Sequence, residues 1–283
     1  MQPLPREVAG MNDECAEEVA CGKDFTVVLT ESGRIVTFGC GKYGALGQNA
    51  LGSSSRPMTI KETESEHYAD VRFAKVKAGW AHCLALSEEG KVYYWGNQFH
   101  ARNRREDICK VPRVVEGFPR CSVIDVACGF DHCVTLGRSE FDLSQFHVFT
   151  WGCNDHGQLG YATQGNLQPQ AVEVAGAGEG LVDAGAGRHY TAVLRSNGEV
   201  LAWGQLPCLS SSAAPCPTVV HRASAPSQKS SALVCGVEQI WLLREADYSY
   251  SIATMLDSPE EAEPRHQRTV SHDAVLAQRE SEA

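Results

Sequence analysis

At 283 residues, 43% of them hydrophobic, the chain is long enough to bury a sizeable core. Its net charge of −10 argues against a surface made for a phosphate backbone, so protein partners are expected and direct nucleic-acid binding is not. Residues 1–8 lack the apolar run of a signal peptide and no later stretch has the length of a membrane span, so a soluble chain of the cytoplasm or nucleus, without a membrane partner, is expected.

Taken in order, the chain repeats itself. The first unit opens at Pro5, with Val8 three positions on, and reaches Gly22 with Leu29 seven residues later. Phe25-Thr-Val-Val-Leu29 reads as a strand, Glu31-Ser-Gly-Arg34 as a tight turn with glycine where φ is positive, and Arg34-Ile-Val-Thr-Phe38 as the returning strand. Gly44-Ala-Leu-Gly47 then begins a longer connection.

The second unit opens at Pro57/Ile60, passes Gly79 and Leu86, turns at Glu88-Glu-Gly-Lys91 and ends its strand on Trp95-Gly96. In place of a Gly-x-Leu-Gly it carries Phe99-His-Ala-Arg-Asn-Arg-Arg105. Arg102, Arg104 and Arg105 are a candidate site for an acidic partner, set against the plainer reading of a solvated basic loop.

The third unit, from Pro112/Val115 through Gly129 and Leu136 to Trp151-Gly152 and Gly157-Gln-Leu-Gly160, is the most regular. Its hairpin is six residues longer than the others and carries Phe141, Leu143 and Phe146 among polar neighbours. These three are a candidate partner contact; the competing reading folds them back onto the sheet edge. The fourth unit runs from Pro169/Val172 through Gly187, Leu194 and Trp203-Gly204 into a Ser/Ala/Pro-rich stretch. The fifth, from Pro217/Val220 through Gly236 and Leu243, stops at a strand-like Tyr248-Ser-Tyr-Ser-Ile252. Residues 257–283 are charged and nearly free of large apolar side chains, so a disordered tail is expected after a repeat domain of residues 1–256.

A period near fifty residues with four short strands per unit reads as a propeller blade, so the expected fold class is an all-β β-propeller of about five repeats. Cys21, Cys128 and Cys235 share one slot with Ala78 and Ala186, read as a buried position for a small apolar side chain. The His82-Cys83 and His132-Cys133 pairs correspond to Phe25-Thr26, Tyr190-Thr191 and Gln239-Ile240, so they are read as structural, with the histidines tying neighbouring strands or blades. No metal, no cofactor and no catalytic residue is expected: no Ser/His/Asp or Cys/His arrangement stands apart from the repeat, and no phosphate-binding glycine loop occurs.

Val126-x-Cys-Gly, a histidine three residues on, the leucine, the turn glycine, Trp151-Gly-x-Asn and Gly-Gln-Leu-Gly160 resemble the regulator of chromosome condensation repeat over residues 5 to about 256. That resemblance implies a propeller, usually of seven blades. Four full units and part of a fifth leave closure open between a divergent or truncated member, a smaller ring, an arc completed by another chain, and a fragment of a longer product. It also implies a non-enzymatic protein-interaction scaffold, with guanine nucleotide exchange on a small GTPase as the alternative. Cys21-Gly-Lys-Asp-Phe-Thr-Val-Val-Leu29 is similar to a segment of the secretion-regulating exchange factor branch of the family.

Overall fold

The computed structural model describes residues 4, 7–11, 14–60, 71–97, 108–177, 180–206, 214–222, 230–236, 239–246 and 249–254. Arg102, Arg104, Arg105, Pro5 and the 257–283 tail lie outside these residues.

The strands form five antiparallel meanders. The first sheet holds β1 (Ala16–Cys21), β2 (Phe25–Thr30), β3 (Ile35–Gly39) and β4 (Ser54–Thr59). The second holds β5 (Phe73–Ala78), β6 (His82–Ser87), β7 (Val92–Gly96) and β8 (Cys109–Val114). The third holds β9 (Cys121–Cys128), β10 (His132–Ser139), β11 (Phe146–Cys153) and β12 (Leu167–Glu173). The fourth holds β13 (Leu181–Ala186), β14 (Tyr190–Arg195), β15 (Val200–Gly204) and β16 (Ala214–His221). The fifth has three strands: β17 (Ser230–Cys235), β18 (Ile240–Ala246) and β19 (Ser249–Thr254), the last overlapping the strand expected at Tyr248–Ile252, of which Tyr248 lies outside the described residues. Consecutive sheets pack through β1, β5, β9, β13 and β17, which makes these the inner strands of successive blades of a β-propeller.

The phase of the repeat differs from the sequence reading. Pro57, Pro112, Pro169 and Pro217 lie in β4, β8, β12 and β16, the outermost strand of the preceding blade, and do not open a new one. Proline lacks an N–H to donate, and an outer strand has one side on which none is needed.

The glycine and the ring three residues later are explained by one contact. A Cβ on Gly129 would sit 2.0 Å from the His132 ring and 2.7 Å from the Gly187 carbonyl oxygen of the next blade; on Gly187 it would meet the Tyr190 ring at 2.0 Å and Gly236 O at 2.7 Å. Only a hydrogen fits between ring and neighbouring backbone. The hairpin glycines Gly33, Gly90 and Gly198 have φ of 78°, 80° and 84°, as the turns require.

Blade contacts are apolar in the middle and polar at the hub. Trp95, Trp151 and Trp203 are fully buried. The Trp95 indole Nε1 donates to Ala45 O at 2.8 Å and that of Trp203 to Gln158 O at 3.0 Å, each reaching the Gly-x-Leu-Gly loop of the preceding blade. Thr191 Oγ1 donates to the same Gln158 O at 2.8 Å and meets His132 Nε2 at 3.0 Å, so a histidine does tie the third blade to the fourth. Near the hub, Glu18 Oε2 accepts from Val76 N at 2.8 Å, Lys75 Nζ meets Asp125 Oδ1 at 2.7 Å and Asp183 Oδ2 accepts from Leu233 N at 2.7 Å. An acid–amide or ion pair of this kind spans each junction named, and Glu18 also pairs with Lys77.

The small-residue slot is not buried. Cys21 is exposed, and Ala78, Cys128, Ala186 and Cys235 are half-buried, because the slot ends the inner strands and faces the central channel. Small side chains are required there by the convergence of five strands, not by a dry core.

Candidate functional site: the channel mouth

In each four-stranded meander the turn after the inner strand and the loop after the third strand lie at one end of the blade, and the middle hairpin lies at the other. The first end surrounds the mouth of the channel, a cavity of about 550 Å³ lined by Lys23, Trp80, Phe130 and Arg188 and by the slot residues of all five blades. These four side chains occupy one repeat position, directly after the glycines Gly22, Gly79, Gly129 and Gly187. The two-residue turn pushes that position outward, and backbone hydrogen bonds fix its spacing: Lys23 N donates to Trp80 O at 3.1 Å and Trp80 N to Phe130 O at 3.2 Å.

The side chains then stack around the mouth. Lys23 Nζ lies 4.3 Å from the Trp80 ring centre, the Trp80 and Phe130 rings are 5.2 Å apart, and the Arg188 guanidinium is 5.4 Å from Phe130. Tyr43 adds to Trp80 at 5.8 Å, and His189 to Phe130 at 5.8 Å. The His189 ring stacks 4.2 Å from His156; burial, then the neighbouring His156 and Arg188, bring its pKa down to about 4. The result is a rim of two adjacent aromatic faces flanked by a cation on each side, on a chain that is acidic as a whole.

The opposite mouth has another character. Its cavity, about 700 Å³, is bordered by Glu17, Glu18, Lys75, Lys77, Asp125 and Asp183, most of them committed to the junction pairs. Burial, with Asp125 nearby, raises the Asp183 carboxyl.

The residues singled out by sequence divide. Phe141 and Leu143 stand out from the third blade, 79% and 71% exposed, whereas Phe146 is half-buried and packs against the core shared with the fourth blade. Four of the six additional hairpin residues extend the ladder by two rungs, Gly137↔His147 and Arg138↔Phe146. The tip is organised by Ser139 Oγ and the Asp142 carboxylate, which accept turn amides, and Arg120 lies 5.8 Å from the Phe141 ring. This hairpin belongs to the end opposite the aromatic rim, so Phe141 and Leu143 are not brought to the channel mouth.

The copies do not converge with one another, but His82 of the second blade lies with Cys128 and Cys133 of the third, their ligand atoms all within 4.8 Å of one another. Comparing copies position by position conceals this grouping, because it forms across a blade junction.

The regulator of chromosome condensation repeat model matches residues 32–86, 89–136 and 147–194, and a second model of the same repeat matches 17–45 and 73–101. The chain belongs to the regulator of chromosome condensation repeat family. Among curated relatives of the family it is 28% identical over 203 residues to the E3 ubiquitin-protein ligase HERC2 of Homo sapiens, covering 71% of this chain and 4% of that protein. It is also 28% identical over 204 residues to the secretion-regulating guanine nucleotide exchange factor of Bos taurus, covering 68% and 41%. The chain therefore spans well under two thirds of the length of these relatives. Among solved structures, Prp20p of Saccharomyces cerevisiae, described with its binding to Gsp1p and histones, superposes with a TM-score of 0.66 at 21% identity, over 84% of this chain and 56% of that one.

Proposed function

We propose that the chain is a non-enzymatic protein-binding scaffold whose contact surface is the cation–aromatic rim of Lys23, Trp80, Phe130 and Arg188. The observation that carries this reading is the stacking of those four side chains at the one turn position that the first four blades present to the channel mouth. Tryptophan, phenylalanine and arginine at a rigid concave centre are the residue types that dominate binding energy at interfaces, and the cations favour an acidic partner segment. Fold alone does not supply the partner.

A second reading is guanine nucleotide exchange on a small GTPase, favoured by the match to an exchange factor and by the fold shared with Prp20p, which binds Gsp1p. One capture experiment separates the two. The chain, the double variant Trp80→Ala/Arg188→Glu, and the double variant Phe141→Ser/Leu143→Ser are used as baits with and without nucleotide. The scaffold reading expects partners lost from the rim variant alone and indifferent to nucleotide; enrichment of a GTPase only without nucleotide favours exchange. Capture that survives the rim variant and fails with the hairpin variant would place the contact at the other end of the blades and sink the rim assignment.

A further inference from the structure

The junction between the second and third blades differs in kind from the one that follows it. In the third blade His132 reaches across to Thr191 of the fourth, and in the fourth Tyr190 Oη donates to Gly236 O at 2.9 Å and Gln239 O at 2.6 Å of the fifth. His82 occupies the same position in the second blade. It is fully buried, and among the described residues its ring nitrogens meet no oxygen of the kind that His132 and Tyr190 find; the side chain they face is Cys128. A buried imidazole whose neighbours are thiols and not oxygens asks for an explanation.

What faces it explains the difference. The position of Thr191 is held in the third blade by Cys133, and the position of Ala186 by Cys128, so a hydroxyl and a methyl are both replaced by thiols. Cys128 and Cys133 are directly paired across β9 and β10, which puts both sulfurs on one face of the sheet. Cys133 is fully buried, while Cys128 borders both channel cavities. The nearby Cys83 thiol is turned away, toward Ala45 O of the first blade at 3.6 Å.

We propose that His82, Cys128 and Cys133 form a site for one thiophilic divalent cation of the zinc class. With metal–sulfur bonds of about 2.3 Å and metal–nitrogen bonds of about 2.0 Å, tetrahedral ligand atoms lie roughly 3.5–3.8 Å apart, so spacings within 4.8 Å close by about 1.3 Å or less. Three protein ligands with a fourth position toward the channel, on the Cys128 side, is the arrangement of a site open to solvent or to a ligand atom. A Cys128–Cys133 disulfide is the rival use of these thiols, and it leaves the His82 ring outside the bond; a metal engages all three side chains at once. The inference is independent of the rim's function.

The test uses the full chain, reduced and stripped of metal, titrated with Co²⁺ and then Zn²⁺. Exposed Cys15, Cys21 and Cys216 make variants necessary as controls. The expected result is one equivalent of Co²⁺ with a thiolate charge-transfer band and tetrahedral ligand-field bands, displaced by Zn²⁺. Cys128→Ala and Cys133→Thr, the residues of the next junction, each abolish the bands and weaken Zn²⁺ binding by at least about 100-fold, while Cys235→Ala leaves both unchanged. Ala186→Cys/Thr191→Cys, which copies the grouping beside His132, adds a second equivalent, a gain that no loss of folding can mimic. Absence of stoichiometric binding at micromolar metal by the reduced wild-type chain would overturn the proposal, as would bands that persist in Cys133→Thr. So would a reduced mass recovered only after breaking a Cys128–Cys133 bond in a chain that binds no metal.

Discussion

Thr191→Val isolates the polar link between the third and fourth blades, because valine keeps the shape of threonine and deletes only the hydroxyl. Thr191 is fully buried, and with its own proton committed to Gln158 O its oxygen accepts from His132 Nε2. In the variant Gln158 O keeps the Trp203 indole at 3.0 Å, so a single donor, His132 Nε2–H, is orphaned. Leaving one buried donor unsatisfied costs about 1–3 kcal/mol, and burying a methyl in place of the hydroxyl returns somewhat under about 1 kcal/mol, for a net loss centred on about 1 kcal/mol and reaching about 2 kcal/mol. Urea unfolding followed by tryptophan fluorescence is expected to show a lower midpoint at unchanged slope. His132→Phe/Thr191→Val, which removes both partners and places at 132 the residue type found at Phe25, is expected to recover most of the loss. A single variant as stable as wild type, or a double variant worse than the sum of the singles, would refute the link.

Gly160→Ala is expected to cost about 3 kcal/mol, combining a φ of +80° with a Cβ 2.8 Å from Trp203 Nε1, and its lowered Tm checks this. Phe141→Ser/Leu143→Ser is expected to shift stability by less than about 0.5 kcal/mol, whereas Phe146→Ala, half-buried against the core, loses about 2 kcal/mol; denaturant midpoints in the reverse order would return Phe141 to the core. His189, faced by His156, Arg188 and Asp155, has a folded pKa of about 4, below the unfolded value near 6.5. Its contribution is therefore complete above about pH 6.5 and lost as pH falls toward 4, since the unfolded chain takes up the proton first. His189→Asn is expected to flatten the stability profile in that window, and an unchanged slope counts against it.

The frame of glycine, ring and leucine was legible because the same steric demand is written several times: a histidine or tyrosine over the glycine, a neighbouring carbonyl beneath it. The blade boundary was not, since Pro57 marks an outer strand as readily as a first strand, and only pairing with β3 shows which. The rim was missed for the opposite reason. Lys23, Trp80, Phe130 and Arg188 share a position but not a residue type, and a reading built on sameness passes over a slot that varies. A readable signal was present all the same: large aromatics directly after a turn glycine, where solvent is expected. The grouping of His82 with Cys128 and Cys133 could not be read from copies laid over one another, because its members come from successive blades.

Placing the proline strand on the preceding sheet has a consequence for how such a chain gains and loses modules. The proline is the fourth residue of β4, β8 and β16, so the seam between sequence units runs through the middle of a strand, not through a loop. Removing residues 57–111 as one period would join Ser54-Ser-Arg56 to Pro112-Arg-Val114 and rebuild an outer strand for the first sheet with its proline in register. Duplication or loss of a whole period therefore changes the number of sheets while each one keeps its outer strand. A unit spliced in this way is stitched into two sheets at once, which couples the inheritance of a blade to the inheritance of its fastening.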